Sequence, residues 1–281
     1  IRSGFNKTFD LSLSNYPELH KWSVDENLKF WELAFKYFNI IHSHPHNEIV
    51  NIRNEKIGTE WFPGLQLNFA ENLLRYRDDK IALNFHREDG KSEVITYKEL
   101  YKRVSSLVLF YKKLGIKKGD RVVGYLPNCP EAVIAMLSTA SIGAVWSSCS
   151  PDFGENSVLD RFSQIEPKLL ISANGYNFKG KQISRHKITK QIMSNIKSLK
   201  NCIYINYVDL ENNNGSNDDF LPTEEESNLL NISEIASQHI EKIHSIAFED
   251  EDTWWVGVKE TKGVFRTTNS ADTWKKKNTG L

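Results

Sequence analysis

The sequence predicts an α/β fold: a doubly wound, mostly parallel sheet, with a helical, aromatic-rich N-terminal segment and a C-terminal β-hairpin. Two observations lead to this prediction. From about residue 80 to residue 208, short apolar runs alternate with amphipathic helical patterns across short connections, as in strand–helix–strand units. The composition also changes at both ends. Residues 1–75 are rich in aromatic side chains, and residues 243–281 combine three Trp with β-like runs and turn residues.

The bulk composition is that of an ordinary globular protein with balanced charge. The 281 residues carry 36 Lys and Arg against 36 Asp and Glu, so neither a nucleic-acid binder nor a membrane-surface binder is favoured. The three cysteines form no CxxC pair, which indicates a reduced, cytoplasmic setting. No apolar run is long enough to span a membrane, and the first residues lack a signal-peptide pattern. The first residue is not Met, which suggests a fragment.

The aromatic-rich segment predicts one long helix and one short helix. Residues 23–38, "SVDENLKFWELAFKYF", have Ser23 at the N-cap position and Glu26 three residues later, which is a capping box. Apolar residues recur there at helical spacing, namely Leu28, Trp31, Phe35 and Phe38. The run "WFPGLQLNFAENLL" then predicts a turn and a short helix.

A hairpin and a capped helix open the central region. "IALNFHR" and "EVITY" predict two strands, and "EDGK" between them predicts the turn. Thr96 and Glu99 then predict the start of a helix, and Gly115 predicts its end. The apolar face of that helix consists of Leu100, Val104, Leu107, Tyr111 and Leu114.

Four more strands and three more helices follow in alternation. The predicted strands are "RVVGYL", "AVWSSCS", "PKLLISA" and "NCIYINYV". The predicted helices are "PNCPEAVIAMLSTASIG", "GENSVLDRFSQI" and "HKITKQIMSNIKSLK". "NGYNFKGK", after the third strand, is predicted to be a loop. Ligands of doubly wound sheets bind beyond the carboxyl ends of the strands, where "WSSCSPDFG" lies.

An acidic segment separates this region from the tail. Residues 209–227 hold seven acidic residues and no basic one, which is typical of a solvated linker. "NISEIASQHIEK" predicts a short helix after it. The expected domains are residues 1–75, residues 76–240 and residues 243–281.

Several of these stretches together resemble the N-terminal part of an acyl-CoA synthetase of the adenylate-forming superfamily. They are "WFPGLQLNFAENLL", "ITYKELYKRV", the run from "LGIKKGD" to "SPDFG", and "VLDRFSQIEPKLLIS". "WSSCSPDFG" followed by "DRFSQIEPK" is similar to the acetoacetyl-CoA synthetase branch. The resemblance covers about residues 10–240. It implies that ATP and acetoacetate form an acyl-adenylate, which CoA then attacks, with Mg²⁺ accompanying the ATP.

The resemblance is incomplete at the phosphates. A Ser/Thr/Gly-rich loop of the type SSGTTGxPK is expected shortly after residue 245, but "KETKGVFRTT" stands there. A Walker-type loop is absent too, since Phe85 occupies the position of its first glycine before "DGKS". The family's catalytic Lys falls beyond residue 281. The chain by itself is therefore expected to be inactive.

Only two site residues carry over from the family. By position, Lys181 in "NGYNFKGK" resembles a basic residue that meets the phosphates of CoA, although Phe178 stands where acetyl-type relatives have Arg. Asp152 is implied to line the approach of the CoA arm. A solvated loop lysine is the alternative for Lys181. No catalytic residue is assigned.

Other reactive residues have simpler interpretations. Cys129 and Cys149 are interpreted as small packing residues rather than nucleophiles. His42, His44 and His46 alternate, with Glu48 nearby, but Pro45 interrupts the run, so a loop is favoured over a metal site. No metal ligand is assigned.

The tail resembles an Asp-box repeat of a β-propeller, with the pattern S-x-D-x-G-x-T-W. Thr267, Asn269, Thr273 and Trp274 match it, the first two in kind, whereas Ala271 replaces the glycine. A chance hairpin is the alternative. A second function class therefore stays open: a non-catalytic remnant, or a chimeric binding module with a propeller-type tail.

Overall fold

The computed structural model describes residues 2–9, 11–52 and 58–209, and the later strand segments 229–230, 243–248, 254–258, 263–267 and 275–276. The chain forms two compact units, Ile1–Leu73 and Leu74–Leu281.

The first unit is mainly helical. Its helices are α1 (Arg2–Phe9), α2 (Tyr16–Asp25), α3 (Asn27–Tyr37) and α4 (Phe69–Leu73), and an antiparallel pair joins β1 (Val50–Ile52) to β2 (Thr59–Trp61). The prediction of one helix capped at Ser23 was wrong. Asn15 is the N-cap, because its side chain accepts the Glu18 N–H at 2.9 Å and Pro17 opens the first turn. The helix breaks at Glu26, whose backbone lies outside the helical region.

The buried face of α3 differs from the predicted stripe. Ala34 is buried, whereas Leu28, Trp31 and Phe38 are exposed. The partner of this face is α1, whose Phe5 is fully buried and stacks on Tyr37 at 5.0 Å between ring centroids. An abundance of aromatic residues all around α3 concealed which face packs.

The second unit opens with the predicted hairpin and capped helix. β3 (Ile81–His86) pairs antiparallel with β4 (Ser92–Thr96), and α5 spans Tyr97–Lys113. Thr96 Oγ1 accepts the Glu99 N–H at 3.2 Å, which confirms the cap. Gly90 has φ +87°, a conformation that favours glycine, so this residue permits the turn between the strands.

The central sheet has five parallel strands in the order β11-β10-β7-β5-β6. The strands are β5 (Arg121–Tyr125), β6 (Val145–Cys149), β7 (Leu169–Ala173), β10 (Asn201–Ile205) and β11 (Leu229–Leu230). The helices between them are α6 (Pro130–Ser141), α7 (Glu155–Ser163) and α8 (His186–Asn195). β8 (Gly175–Phe178) and β9 (Lys181–Ser184) form an antiparallel hairpin between β7 and α8.

The sheet is doubly wound, which confirms the predicted fold class. β6 lies on one side of β5 and β7 on the other, so the right-handed crossovers place α6 and α7 on opposite faces. One core joins α7 and α8 to the sheet through side chains such as Val123, Phe162 and Ile192. A hydrogen bond joins α6 to α5: Ser138 Oγ of α6 donates to Val104 O of α5 at 3.2 Å.

The tail contains more strands than the predicted hairpin. β12 (Ile243–Phe248), β13 (Trp254–Val258), β14 (Gly263–Thr267) and β15 (Lys275–Lys276) form an antiparallel sheet in chain order, in which β13 and β14 make the hairpin. The predicted helix "NISEIASQHIEK" and residues 210–227 of the acidic linker lie outside the described residues.

Candidate functional site

The winding of the sheet reverses between β5 and β7, and this reversal, called here the switch point, marks the candidate site. In open parallel sheets, ligands bind beyond the carboxyl ends of the strands at such a point. Tyr125 ends β5 and Ala173 ends β7 there. Two segments continue past this edge: the turn Ser150–Gly154, called here the 150–154 turn, and the β8–β9 hairpin.

Tyr125 holds the 150–154 turn from within the sheet. Its hydroxyl lies 2.9 Å from Pro151 O and 2.8 Å from Phe153 O. The ring is fully buried, and burial raises the pKa of Tyr125 to about 12, so the hydroxyl keeps its proton and remains a donor. The Asp152 side chain, between these two anchored residues, is exposed.

The other side of the turn packs on α7. The Arg161 guanidinium carbon lies 4.7 Å from the centre of the Phe153 ring. Cys149, just before the turn, is buried, and burial raises the pKa of its thiol. Cys129 is buried too, and its pKa is likewise raised by burial. Neither thiol has the lowered pKa of a nucleophile, which agrees with their interpretation as packing residues.

The segment "NGYNFKGK" was predicted to be a loop, and this prediction was wrong. Lys179 (φ 51°) and Gly180 (φ 74°) form a two-residue turn with both residues in the left-handed region, which matches the twist of a tight hairpin. Lys181 is exposed at the start of β9, in register with Phe178. The Gly180 N–H donates to Glu88 Oε1 at 2.7 Å, so this backbone donor is already occupied.

Arg185 connects the two segments, and the sequence reasoning missed it. This residue follows β9 and is the N-cap of α8. Its Nε donates to Pro151 O, next to Asp152, and its Nη2 donates to the Tyr176 hydroxyl at 3.0 Å. Asp152 and Lys181 therefore lie on different segments that share Arg185 as a bridge. An arginine between a strand and a helix near the switch point was the available signal.

Asn174 fixes the chain at the end of β7. It is 6% exposed, its Nδ2 donates to Val208 O at 2.7 Å, and its Oδ1 accepts the N–H groups of Tyr207 and Val208 at 2.9 and 3.0 Å. Its backbone oxygen accepts the Arg185 N–H at 2.8 Å. Arg87 adds to this arrangement by donating to Tyr207 O and stacking on the Tyr207 ring. These contacts tie the end of β7 to the chain after β10 and to Arg185.

The alternating histidines of the first unit pack against aromatic rings. The His42 and His46 rings lie 5.4 and 5.2 Å from the Phe35 ring, and His44 forms an isolated bridge with Gln66. Within the described part of the chain, no group of three His, Cys, Asp or Glu side chains is placed to hold a metal ion. No helix in that part is long and apolar enough to cross a membrane.

Comparison with known proteins gives two family matches that together span residues 16–248. Residues 16–73 match the acetyl-coenzyme A synthetase N-terminus, and residues 69–248 match the AMP-binding enzyme family. The tail beyond residue 248 lies outside both matches, and its resemblance to an Asp-box repeat stays a prediction.

Individual relatives support the same assignment. The chain is 44% identical over 212 residues to acetoacetyl-CoA synthetase of Macaca fascicularis, covering 74% of this chain and 31% of the relative. It is 38% identical over 202 residues to malonamoyl-CoA synthetase vrtB of Penicillium aethiopicum, covering 69% and 28%. The solved acetoacetyl-CoA synthetase from Streptomyces lividans superimposes with a TM-score of 0.72 at 35% identity, covering 84% of this chain and 36% of that one. The chain thus spans less than a third of the length of these two sequence relatives, and it belongs to the AMP-binding enzyme family.

Proposed function

We propose that the chain is the N-terminal part of an acetoacetate–CoA ligase, which converts ATP, acetoacetate and CoA to acetoacetyl-CoA, AMP and pyrophosphate through an acyl-adenylate. The observation that carries this proposal is the 44% identity to an acetoacetyl-CoA synthetase across the region that builds the switch point. The proposed setting is the cytoplasm, which the three free cysteines support.

The role proposed for the 150–154 turn and the β8–β9 hairpin is to form one wall of the CoA site, called here the CoA wall. Lys181 supplies a positive charge for a CoA phosphate, and its exposed position on a tight hairpin suits that role. Asp152 lines the path of the CoA arm from the 150–154 turn. Because the Gly180 N–H is bonded to Glu88, the charge of the lysine side chain rather than this backbone donor is expected to attract the phosphate.

ATP and Mg²⁺ are implied by the family, but the described residues do not fit them. The described part of the chain holds no group of three His, Cys, Asp or Glu side chains placed to bind a metal ion, and the sequence has no Ser/Thr/Gly-rich phosphate loop. No step of adenylate formation is therefore assigned to these residues. Their proposed contribution is the binding and orientation of CoA.

A graft tests this function. Residues 1–240 replace the matching segment of the Streptomyces lividans synthetase, which supplies the rest of the enzyme, and acetoacetate-dependent thioester formation is measured. A functional CoA wall should keep kcat/KM for CoA within about tenfold of the parent enzyme, which is about 1.4 kcal/mol. Lys181→Ala in the graft should raise KM for CoA, with Lys200→Ala, an exposed lysine before β10, as the matched control.

A second graft controls for damage at the junction. It carries the corresponding segment of the Macaca fascicularis enzyme. If that graft forms thioester and the graft of this chain forms none, the proposal is refuted and the chain is a non-catalytic remnant. The isolated 281-residue chain is expected to release no AMP in either case.

We also propose that residues 1–75, 76–240 and 243–281 are separate domains, and that the third is an Asp-box module. The four-stranded antiparallel order β12-β13-β14-β15 supports this, since propeller blades have four such strands, while β12 lies also within the AMP-binding match. Asn269→Ala should then lower the protection of the tail amides from hydrogen exchange, whereas Asn278→Ala should not. Equal effects of the two substitutions would favour a chance hairpin.

A further inference from the structure

Arg185 is placed to couple the two segments of the proposed CoA wall. It immediately follows the strand that begins at Lys181, and it contacts the residue before Asp152. The two segments come from different connections of the sheet, the 150–154 turn from β6 to α7 and the hairpin from β7 to α8. Without a link between them, their spacing would depend only on their separate strand ends.

The contacts of the guanidinium group are directed at protein atoms. Nε donates to Pro151 O, Nη2 donates to the Tyr176 hydroxyl at 3.0 Å, and Nη1 donates to Ser184 O at 3.3 Å. The guanidinium carbon also lies 4.8 Å from the centre of the Tyr176 ring. Each of the three nitrogens thus donates to the protein, and these contacts use three of the five N–H donors of the guanidinium group, so the geometry suits a brace.

Pro151 O receives this brace together with an anchor from the sheet. The Tyr125 hydroxyl lies 2.9 Å from the same oxygen, so a carbonyl with two lone pairs meets one donor from β5 and one from Arg185. Hydrogen bonds from a charged donor are stronger than neutral ones. The 150–154 turn is thus held on two sides, and one of them is Arg185, the residue directly after the strand that carries Lys181.

We infer that Arg185 is a positioning residue that fixes the 150–154 turn relative to the β8–β9 hairpin and thereby sets the affinity for CoA. The inference rests on the proposed function. It predicts a defect in the use of CoA, because no step of adenylate formation is assigned to these residues. The chemical class recognised is a phosphorylated thiol coenzyme.

The first test measures hydrogen exchange in the full chain. Arg185→Gln removes the charge and the branched donor. It should speed exchange of the amides in both 150–154 and 176–184 by about tenfold, while the amides of α5 keep their protection. Unchanged exchange in either segment overturns the inference. Arg121→Gln is the matched control, because Arg121 also bridges backbone oxygens, those of Ile165 and Glu166, but at the opposite edge of the sheet.

The second test measures kinetics in the graft onto the Streptomyces lividans synthetase. Arg185→Gln should raise KM for CoA by about tenfold, leave acetoacetate-dependent ATP–pyrophosphate exchange within about twofold, and exceed the effect of Arg121→Gln. Arg185→Lys should rescue only part of the loss, since an ammonium group lacks the planar fork. Equal KM values for the Gln variants of Arg185 and Arg121 overturn this inference alone. A parent graft that forms no thioester, while the Macaca fascicularis graft does, overturns the proposed function and this inference with it.

Discussion

Replacing Asn174 by alanine should destabilise the second unit more than any substitution of an exposed asparagine. The side chain makes three hydrogen bonds to the chain after β10, one to Val208 O and two from the N–H groups of Tyr207 and Val208, at 2.7 to 3.0 Å. Alanine removes all three and leaves the Val208 groups buried without these partners. Each such bond contributes about 0.5 to 1.5 kcal/mol, so the expected loss is about 2 to 4 kcal/mol.

The assay is urea unfolding followed by circular dichroism, together with hydrogen exchange at Tyr207 and Val208. Asn195→Ala is the control, because Asn195 is exposed and its amide bonds only to Gln191 O within its own helix among the described contacts. The control should change the free energy of unfolding by less than about 0.5 kcal/mol. The reasoning is refuted if Asn174→Ala matches the control in stability and leaves exchange at both amides unchanged.

Three further changes test the account. Gly124→Ala places a Cβ 2.6 Å from Trp146 Cη2, so the indole must move. The free energy of unfolding should fall by about 1 to 3 kcal/mol, which thermal unfolding measures, and an unaltered Tm would contradict the contact. Thr96→Ala removes the cap of α5 and should cost about 1 kcal/mol in urea unfolding, whereas Thr96→Ser should cost little; equal losses would argue against the cap. Tyr125→Phe should reduce the loss of stability at alkaline pH. The folded pKa of Tyr125, about 12, exceeds the ordinary value near 10. The contribution of its protonated hydroxyl to the free energy of unfolding is therefore complete below about pH 10 and declines as pH rises through about 12. An identical alkaline stability profile for the variant would remove Tyr125 from this explanation.

The sequence predicted the central fold well because its signals there are local and consistent. Thr96 and Glu99 mark the start of α5, and the fully buried run Leu169–Ala173 forms β7 as its apolar composition indicates. Short connections between such elements leave few topologies for a parallel sheet. The position of the 150–154 turn at the carboxyl edge followed from the same reasoning.

Features set by competition between similar local signals were harder to predict. Both Asn15 and Ser23 are residue types that favour an N-cap; in the structure Asn15 caps α2, Pro17 lies in its first turn, and Ser23 lies within the same helix. The Lys179–Gly180 turn has a lysine in the left-handed region, where asparagine or aspartate is the usual signal, so the hairpin was missed.

The bridge at Arg185 depends on distant parts of the chain. Its partner Pro151 lies 34 residues earlier, and no periodicity reports a contact of that range. The buried face of α3 was missed for a related reason, since α1 determines it through Phe5.

The most direct test of the central claim is photo-crosslinking of a CoA analogue to the graft synthetase, followed by mapping of the labelled peptides. The account predicts labels in 150–154 and in 176–185, at the carboxyl edge of the sheet, and competition by free CoA. Labels from this chain that fall only at the opposite edge, in 117–121 and 164–168, would contradict the proposal that the switch point forms the CoA wall.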